Sequence, residues 1–229
     1  MVSRCCVLAL ALVLMMPAAG EAEMRIPDSG TIDFEIRRDG QTFGSHVLRF
    51  SRDDKGRRIV RIDIEMSYCL GPICLFRYEH KNRVVWDDGQ VVKFKSRTND
   101  DGDRYKVRAS WGDDKVAITA NGAERNAPAN AAPTTYWYED MLEADQLINT
   151  QKGTVQDIKI VREEPDTYMV AGEMRDARHY VIQTDRKVEV WYDAATGQWI
   201  GLEFKAKGSK ISYHRRSKIK TSKIKQDSQ

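Results

Sequence analysis

Apolar and polar residues alternate along most of this chain with a period of two. Ile32, Phe34 and Ile36 alternate with Asp33, Glu35 and Arg37, and Val60, Ile62, Ile64 and Met66 alternate with Arg61, Asp63 and Glu65. Such a period turns every second side chain to one face of a strand and predicts a half-buried sheet. Asp39-Gly40 supplies the positive-φ residues of a tight hairpin, and Leu48 and Phe50 resume the alternation on the return. After a polar turn at 51–56, the second strand leads into Cys69 and then a segment over 75–86. Asp88-Gly89, Asp101-Gly102 and Gly112-Asp113 separate strands near 91–98, 104–111 and 115–120. Strands joined by turns this short pair as antiparallel neighbours, so the first half reads as a meander.

The pattern breaks over 121–135, a stretch rich in Ala, Asn and Pro. Tyr136-Trp137-Tyr138-Glu139-Asp140-Met141-Leu142 follows, and Leu147-Ile148 after it. Thr135 in the capping position, with Glu139 and Asp140 in the first turn, predicts a short helix over 137–147. Strands resume near 155–164, 167–172, 177–184, 187–193, 197–206 and 209–214. The fold expected is all-β and mainly antiparallel: a single strongly curved sheet, an incomplete or closed barrel, with one short helix and a disordered basic C-terminal tail. A sheet of about thirteen strands has edges to protect, and closure is the simplest protection.

The chain begins with Arg4, an unbroken apolar run over 7–16, and the small residues of Pro17-Ala18-Ala19-Gly20-Glu21-Ala22. This is the layout of a secretory signal peptide, 1–22, with cleavage after Gly20 or Ala22, and it predicts a periplasmic protein. The run is too short to span a bilayer. What remains divides into a single domain over 23–216 and a basic flexible tail over 217–229. Cys5 and Cys6 leave with the signal. Cys69 and Cys74 flank four residues, and in an oxidising compartment such a pair predicts a disulfide.

Charge changes the picture at one end. Residues 205–229 hold nine Lys or Arg against one acid, Asp227, although the whole chain nets only +3, so the body is acidic. Arg215, Arg216, Lys218, Lys220, Lys223 and Lys225 are candidates for contact with an anionic membrane surface. A solvated tail is the simpler alternative. Nucleic acid is not an expected partner, because no aromatic-basic platform accompanies the charge.

Chemistry is sparse. His46, His80, His179 and His214 fall on different strands, without metal-ligand spacing, so no metal and no cofactor are expected. There is no G-x-S-x-G, no phosphate loop and no unpaired cysteine in the body, and a non-enzyme is the expectation. Polar residues occupy both faces of 77–83, around His80, so one face looks either to water or into a polar interior. Tyr136, Trp137 and Tyr138, extended by Met141 and Leu142, are the candidate ligand gate; the alternative is that they plug the core.

Several segments resemble an uncharacterised family of exported proteobacterial proteins, a domain of unknown function. They are Thr31-Ile32-Asp33-Phe34-Glu35-Ile36, Arg77-Tyr78-Glu79-His80-Lys81-Asn82-Arg83, Ser96-Arg97-Thr98-Asn99-Asp100, Pro133-Thr134-Thr135-Tyr136-Trp137, Asn149-Thr150-Gln151-Lys152-Gly153 and Val190-Trp191-Tyr192-Asp193. The resemblance implies a Gram-negative envelope protein and supplies no catalytic residues. More loosely, the layout is similar to that of periplasmic lipoprotein carriers, which are incomplete barrels. From this follows the functional expectation: a barrel-like binding or carrier protein for an apolar or amphiphilic envelope molecule such as a lipid. The alternative is a non-catalytic structural or assembly factor of the envelope.

Overall fold

The computed structural model describes residues 26–219; the expected signal segment and most of the expected tail lie outside them. Eight strands form the first meander: β1 (Thr31–Arg38), β2 (Gln41–Arg52), β3 (Arg58–Leu70), β4 (Ile73–Asp87), β5 (Gln90–Asp100), β6 (Asp103–Trp111), β7 (Lys115–Ala120) and β8 (Ala123–Pro128). A covering segment follows, with β9 (Ala132–Pro133), a 3-10 turn at Glu139–Glu143, β10 (Gln146–Ile148) and β11 (Val155–Asp157). The second meander is β12 (Lys159–Val170), β13 (Glu173–Gln183), β14 (Lys187–Asp193), β15 (Trp199–Ala206) and β16 (Ser209–Arg215). β16 pairs with β1, so the two meanders join into one sheet of 13 strands ordered β12-β13-β14-β15-β16-β1-β2-β3-β4-β5-β6-β7-β8.

The expected barrel is overturned, because β8 and β12 are the two ends of this order and do not pair with each other. The sheet is open and not strongly curled, and its edges are protected by chemistry instead of closure. β12 carries Arg162, Glu163, Glu164 and Asp166 around Pro165, and its register slips at Ile160/Arg162. β8 exposes Glu124, Arg125 and Asn126 and ends at Pro128. Charges, a bulge and prolines without an N–H are what keep an edge from recruiting another strand.

The expected helix over 137–147 is also corrected. Only Glu139–Glu143 coils, as a 3-10 turn with no side-chain cap, and the Thr135 hydroxyl meets the carbonyl of Pro133 instead. Ala144 turns extended, and Gln146–Ile148 pairs with β9 and β11, so ladder hydrogen bonds replace the last helical turns. A helix this short has too few bonds to offset its nucleation.

One face of the sheet is largely apolar. Ile32, Phe34, Leu48, Val84 and Phe94 from the first meander share a core with Val190, Tyr192, Trp199 and Leu202 from the second. The covering segment completes that core with Trp137, Met141, Leu147 and Ile148, each at most 2% exposed. Arg178 fastens it: its Nε and Nη2 donate to the two carboxylate oxygens of Glu139 at 2.8 and 2.6 Å. The Tyr180 hydroxyl donates to the same carboxylate at 3.1 Å, and the Tyr192 hydroxyl donates to the Tyr136 carbonyl at 2.8 Å. A smaller apolar cluster of Tyr168, Val170, Ala177, Trp191, Ile200 and Ile219 lies apart from this core. Its last member belongs to the expected tail, and neighbouring Lys218 pairs with Glu173. The first residues past 216 are therefore docked.

Two substitutions test this arrangement. A Cβ at Gly44 would overlap the Glu65 carbonyl oxygen and the Met66 backbone. Gly44→Ala is therefore expected to cost about 1–3 kcal/mol, because backbone on a paired strand cannot give way. Gly112→Ala, where a Cβ meets only an ordinary contact at 3.5 Å, serves as the control and is expected within about 0.5 kcal/mol of the parent. Urea midpoints at constant m give both values. Glu139→Gln keeps the shape but loses the charge-assisted pair with Arg178, and is expected to cost about 1–3 kcal/mol by the same measurement.

Candidate functional site: a polar pocket beneath the covering segment

The inner face is interrupted by a patch of polar side chains in cross-strand register. His46 of β2 stands opposite Ile64 of β3, Ile64 opposite His80 of β4, and His80 opposite Thr98 of β5. In the adjoining row, Ile62 faces Asn82 and Asn82 faces Ser96. All five polar residues are between 3 and 5% exposed. The strand period explains their company: His80 and Asn82 are two apart on β4, as are Ser96 and Thr98 on β5, so each pair shares a face.

Some of these groups are satisfied. His80 Nδ1 and the Thr98 hydroxyl are 2.8 Å apart, and the Ser96 hydroxyl donates to the Thr150 carbonyl of the covering segment. Others are not. Neither ring nitrogen of His46 has a hydrogen-bond partner, and neither has the side-chain nitrogen or oxygen of Asn82. Buried polar atoms without partners cost about 1–3 kcal/mol each and are uncommon in folded chains.

A cavity of about 190 Å³ lies beside these residues. His46, His80 and Asn82 line it with Tyr78, Tyr136 and Tyr213; Leu147 and Leu202 add apolar wall, and Asp185 and Arg186 are its charged residues. Burial sets the charge state of the lining. It holds His80 down to about 4, and holds His46 down to about 3 with a further push from neighbouring His80. It also pushes the Tyr136 phenol up to about 12 and the Tyr78 and Tyr213 phenols higher. Near neutral pH the imidazoles and phenols are therefore uncharged. His46 is held in place by rings, with Trp199 at 5.3 Å and Tyr213 at 5.6 Å, both edge-on.

Of the candidate gate, only Tyr136 reaches this pocket, from a backbone with φ 57°. Trp137 is buried between Phe50 and Trp86, Tyr138 packs edge-on to Trp86, Met141 is buried and Leu142 rests on the core. Of the candidate anionic-surface residues, three are described. Arg215 is 2% exposed and donates to the Trp199 carbonyl and the Gln198 side chain, so a surface role for it is corrected. Arg216 lies by Asp33 and Lys218 by Glu173, while Lys220, Lys223 and Lys225 are outside the described residues. Cys69 and Cys74 are joined as a disulfide.

Sequence reasoning missed His46, Asn82, Ser96 and Thr98. A usable signal was present: polar residues occupy the apolar slots of the alternation at 80 and 82, just before Val84 and Trp86, and at 96 and 98, just after Phe94. Among the described residues no group of three or more His, Cys, Asp or Glu is placed to hold a metal.

Fold and pocket together define an open antiparallel-sheet protein with a polar pocket beneath a covering segment. The chain matches the family described as Domain of unknown function (DUF6134) over residues 34–216, and it belongs to that family. No curated protein matches it. It is similar in fold to a crystal structure from Brucella abortus, described as a beta-barrel-like protein of domain of unknown function DUF1849. That likeness has a TM-score of 0.56 and 8% identity, covering 81% of this chain and 94% of that one. In this chain the sheet stays open, which overturns the expected barrel-like carrier of an apolar or amphiphilic molecule. Part of the apolar face is covered by Trp137, Met141, Leu147 and Ile148.

The two depressed histidines predict a pH dependence. Each is neutral in the fold down to about 3 or 4, yet titrates near 6.5 once unfolded, so unfolding takes up protons between those values. Their contribution is complete above about pH 6.5. It is lost as pH falls from there toward 4, at about 1.4 kcal/mol per pH unit for each histidine. Urea unfolding between those limits is expected to show His46→Phe with a slope shallower by one proton, and an equal slope would contradict the assignment.

Proposed function

We propose that this protein is an exported, non-catalytic binding protein for a small, uncharged, hydrogen-bonding molecule seated against His46, His80 and Asn82. The carrying observation is that His46 and Asn82, whose side chains find no hydrogen-bond partner within the fold, line one cavity together with His80. A neutral imidazole offers one donor and one acceptor, and a side-chain amide offers two donors and an acceptor. Such a mixed set of neutral groups suits a hydroxylated or amide-bearing ligand, and the two charged residues of the lining, Asp185 and Arg186, are of opposite sign. The volume suits a compact molecule, since an engineered cavity of roughly 150 Å³ holds benzene. The apolar run over 7–16 and the small residues after it support export to the periplasm.

Native mass spectrometry of protein taken from its own host tests the reading. A stoichiometric neutral adduct is expected, released by denaturation and lost in His46→Phe/Asn82→Leu. A bare mass in both proteins, with no gain in melting temperature from a panel of neutral polyols, sugars and amides, would reject it and leave the cavity to water.

A further inference from the structure

The β3–β4 hairpin outruns both of its neighbours. β2 pairs with β3 only as far as Met66, and β5 pairs with β4 only from Tyr78. Beyond the Ser67–Arg77 pair, residues 68–76 form a two-stranded ribbon with no strand on either flank, and the Cys69–Cys74 disulfide clamps its end. The ribbon carries no charged side chain. Leu70, Ile73 and Leu75 are 57, 63 and 55% exposed, and Tyr68 behind them is 41% exposed. Isolated exposed apolar residues are ordinary, but a contiguous group on a projecting tip marks an interaction surface.

Cations collar the base of this tip. The Arg38 guanidinium lies 5.9 Å from both the Phe43 and Tyr68 rings, and the Lys207 ammonium lies 5.7 Å from the Phe76 ring. Arg77 stands on the ribbon's last pair, and its backbone N–H is taken by the Asp101 carboxylate. The groove beside the ribbon holds Asp100, Asp101 and Asp185 against Arg38, Lys152, Arg186, Lys205 and Lys207, so cations outnumber acids there. The order from the end inward is aliphatic, then phenolic, then cationic. A lipid leaflet with anionic headgroups offers the same order in reverse, from acyl boundary to phosphate.

We propose that the β3–β4 ribbon docks this protein on an anionic lipid surface. Leu70, Ile73 and Leu75 enter the acyl boundary, while Arg38, Arg77 and Lys207 meet the phosphates. This role is independent of the pocket, and the surface is engaged from outside, with no lipid extracted. A second copy of the chain would bring its own cation collar against this one, which like-charge repulsion disfavours.

Sedimentation with phosphatidylglycerol–phosphatidylcholine vesicles tests it on the full chain, so that the basic C-terminal residues stay constant. Leu70→Ser/Ile73→Ser/Leu75→Ser is expected to lower the bound fraction about tenfold or more at unchanged melting temperature. Arg38→Gln/Lys207→Gln is expected to lower it about fivefold per charge, and added salt to have the same sense. Leu70→Trp reports position directly: its emission should shift to the blue on vesicles and be quenched by lipids brominated near the headgroup. Unchanged binding of the triple variant would overturn the proposal in favour of the C-terminal residues. Equal binding to pure phosphatidylcholine would remove the anionic requirement. Self-association abolished by the same triple variant, without vesicle binding, would assign the ribbon to contacts between copies.

Discussion

The bidentate pair between Arg178 and Glu139 fastens the covering segment across the open sheet, and the remaining architecture presupposes that segment in place. An open sheet of this breadth presents a broad, largely apolar face, and water contact with its apolar surface would cost about 25 cal/mol per Å². Trp137, Met141, Leu147 and Ile148 remove that face from water, while Arg178, Tyr180 and Tyr192 hold the segment in register through its polar atoms. Cover and sheet are thus each incomplete alone: the segment is too short to have a core, and the sheet has no second layer without it.

The pocket is a by-product of the same fit. Where the cover meets the middle of β3, β4 and β5, it supplies Thr150 to Ser96 but nothing to His46 or Asn82. The apolar core around it is tight, with Phe34 and Trp199 rings 4.3 Å apart. A fold selected only for stability would be expected to fill such a gap with aliphatic side chains, since burying unpartnered polar groups is unfavourable. Local disagreement with an otherwise consistent pattern is where function is sought first.

How much of this was legible depended on whether a property is local. Turn chemistry is local, so Asp39-Gly40, Asp88-Gly89 and Asp101-Gly102 fell between strands as expected, with positive φ at each. The alternation at 32–36 and 60–66 likewise identified core positions, and the close cysteine pair gave the disulfide. Closure is not local. Thirteen strands suggested a barrel, but whether β8 meets β12 is decided by edge charges, Pro165 and a bulge whose combined effect no single window reveals. The aromatic run at 136–138 drew attention for its composition, yet only Tyr136 reaches the pocket. His46 and His80 come together through register across three strands, a relation that spacing along the chain does not encode.

The pairing of β16 with β1 places the first and last strands side by side at the middle of the sheet, between two meanders built from neighbours in sequence. Each meander can assemble from local contacts, but the seam between them closes a loop of nearly the whole domain, which is slow to find. A chain emerging from its N-terminus therefore exposes the apolar edge of β1 until the last strand has appeared. Until then half a sheet waits uncovered at its centre, so the interval before the final residues arrive is when this polypeptide is most vulnerable to aggregation.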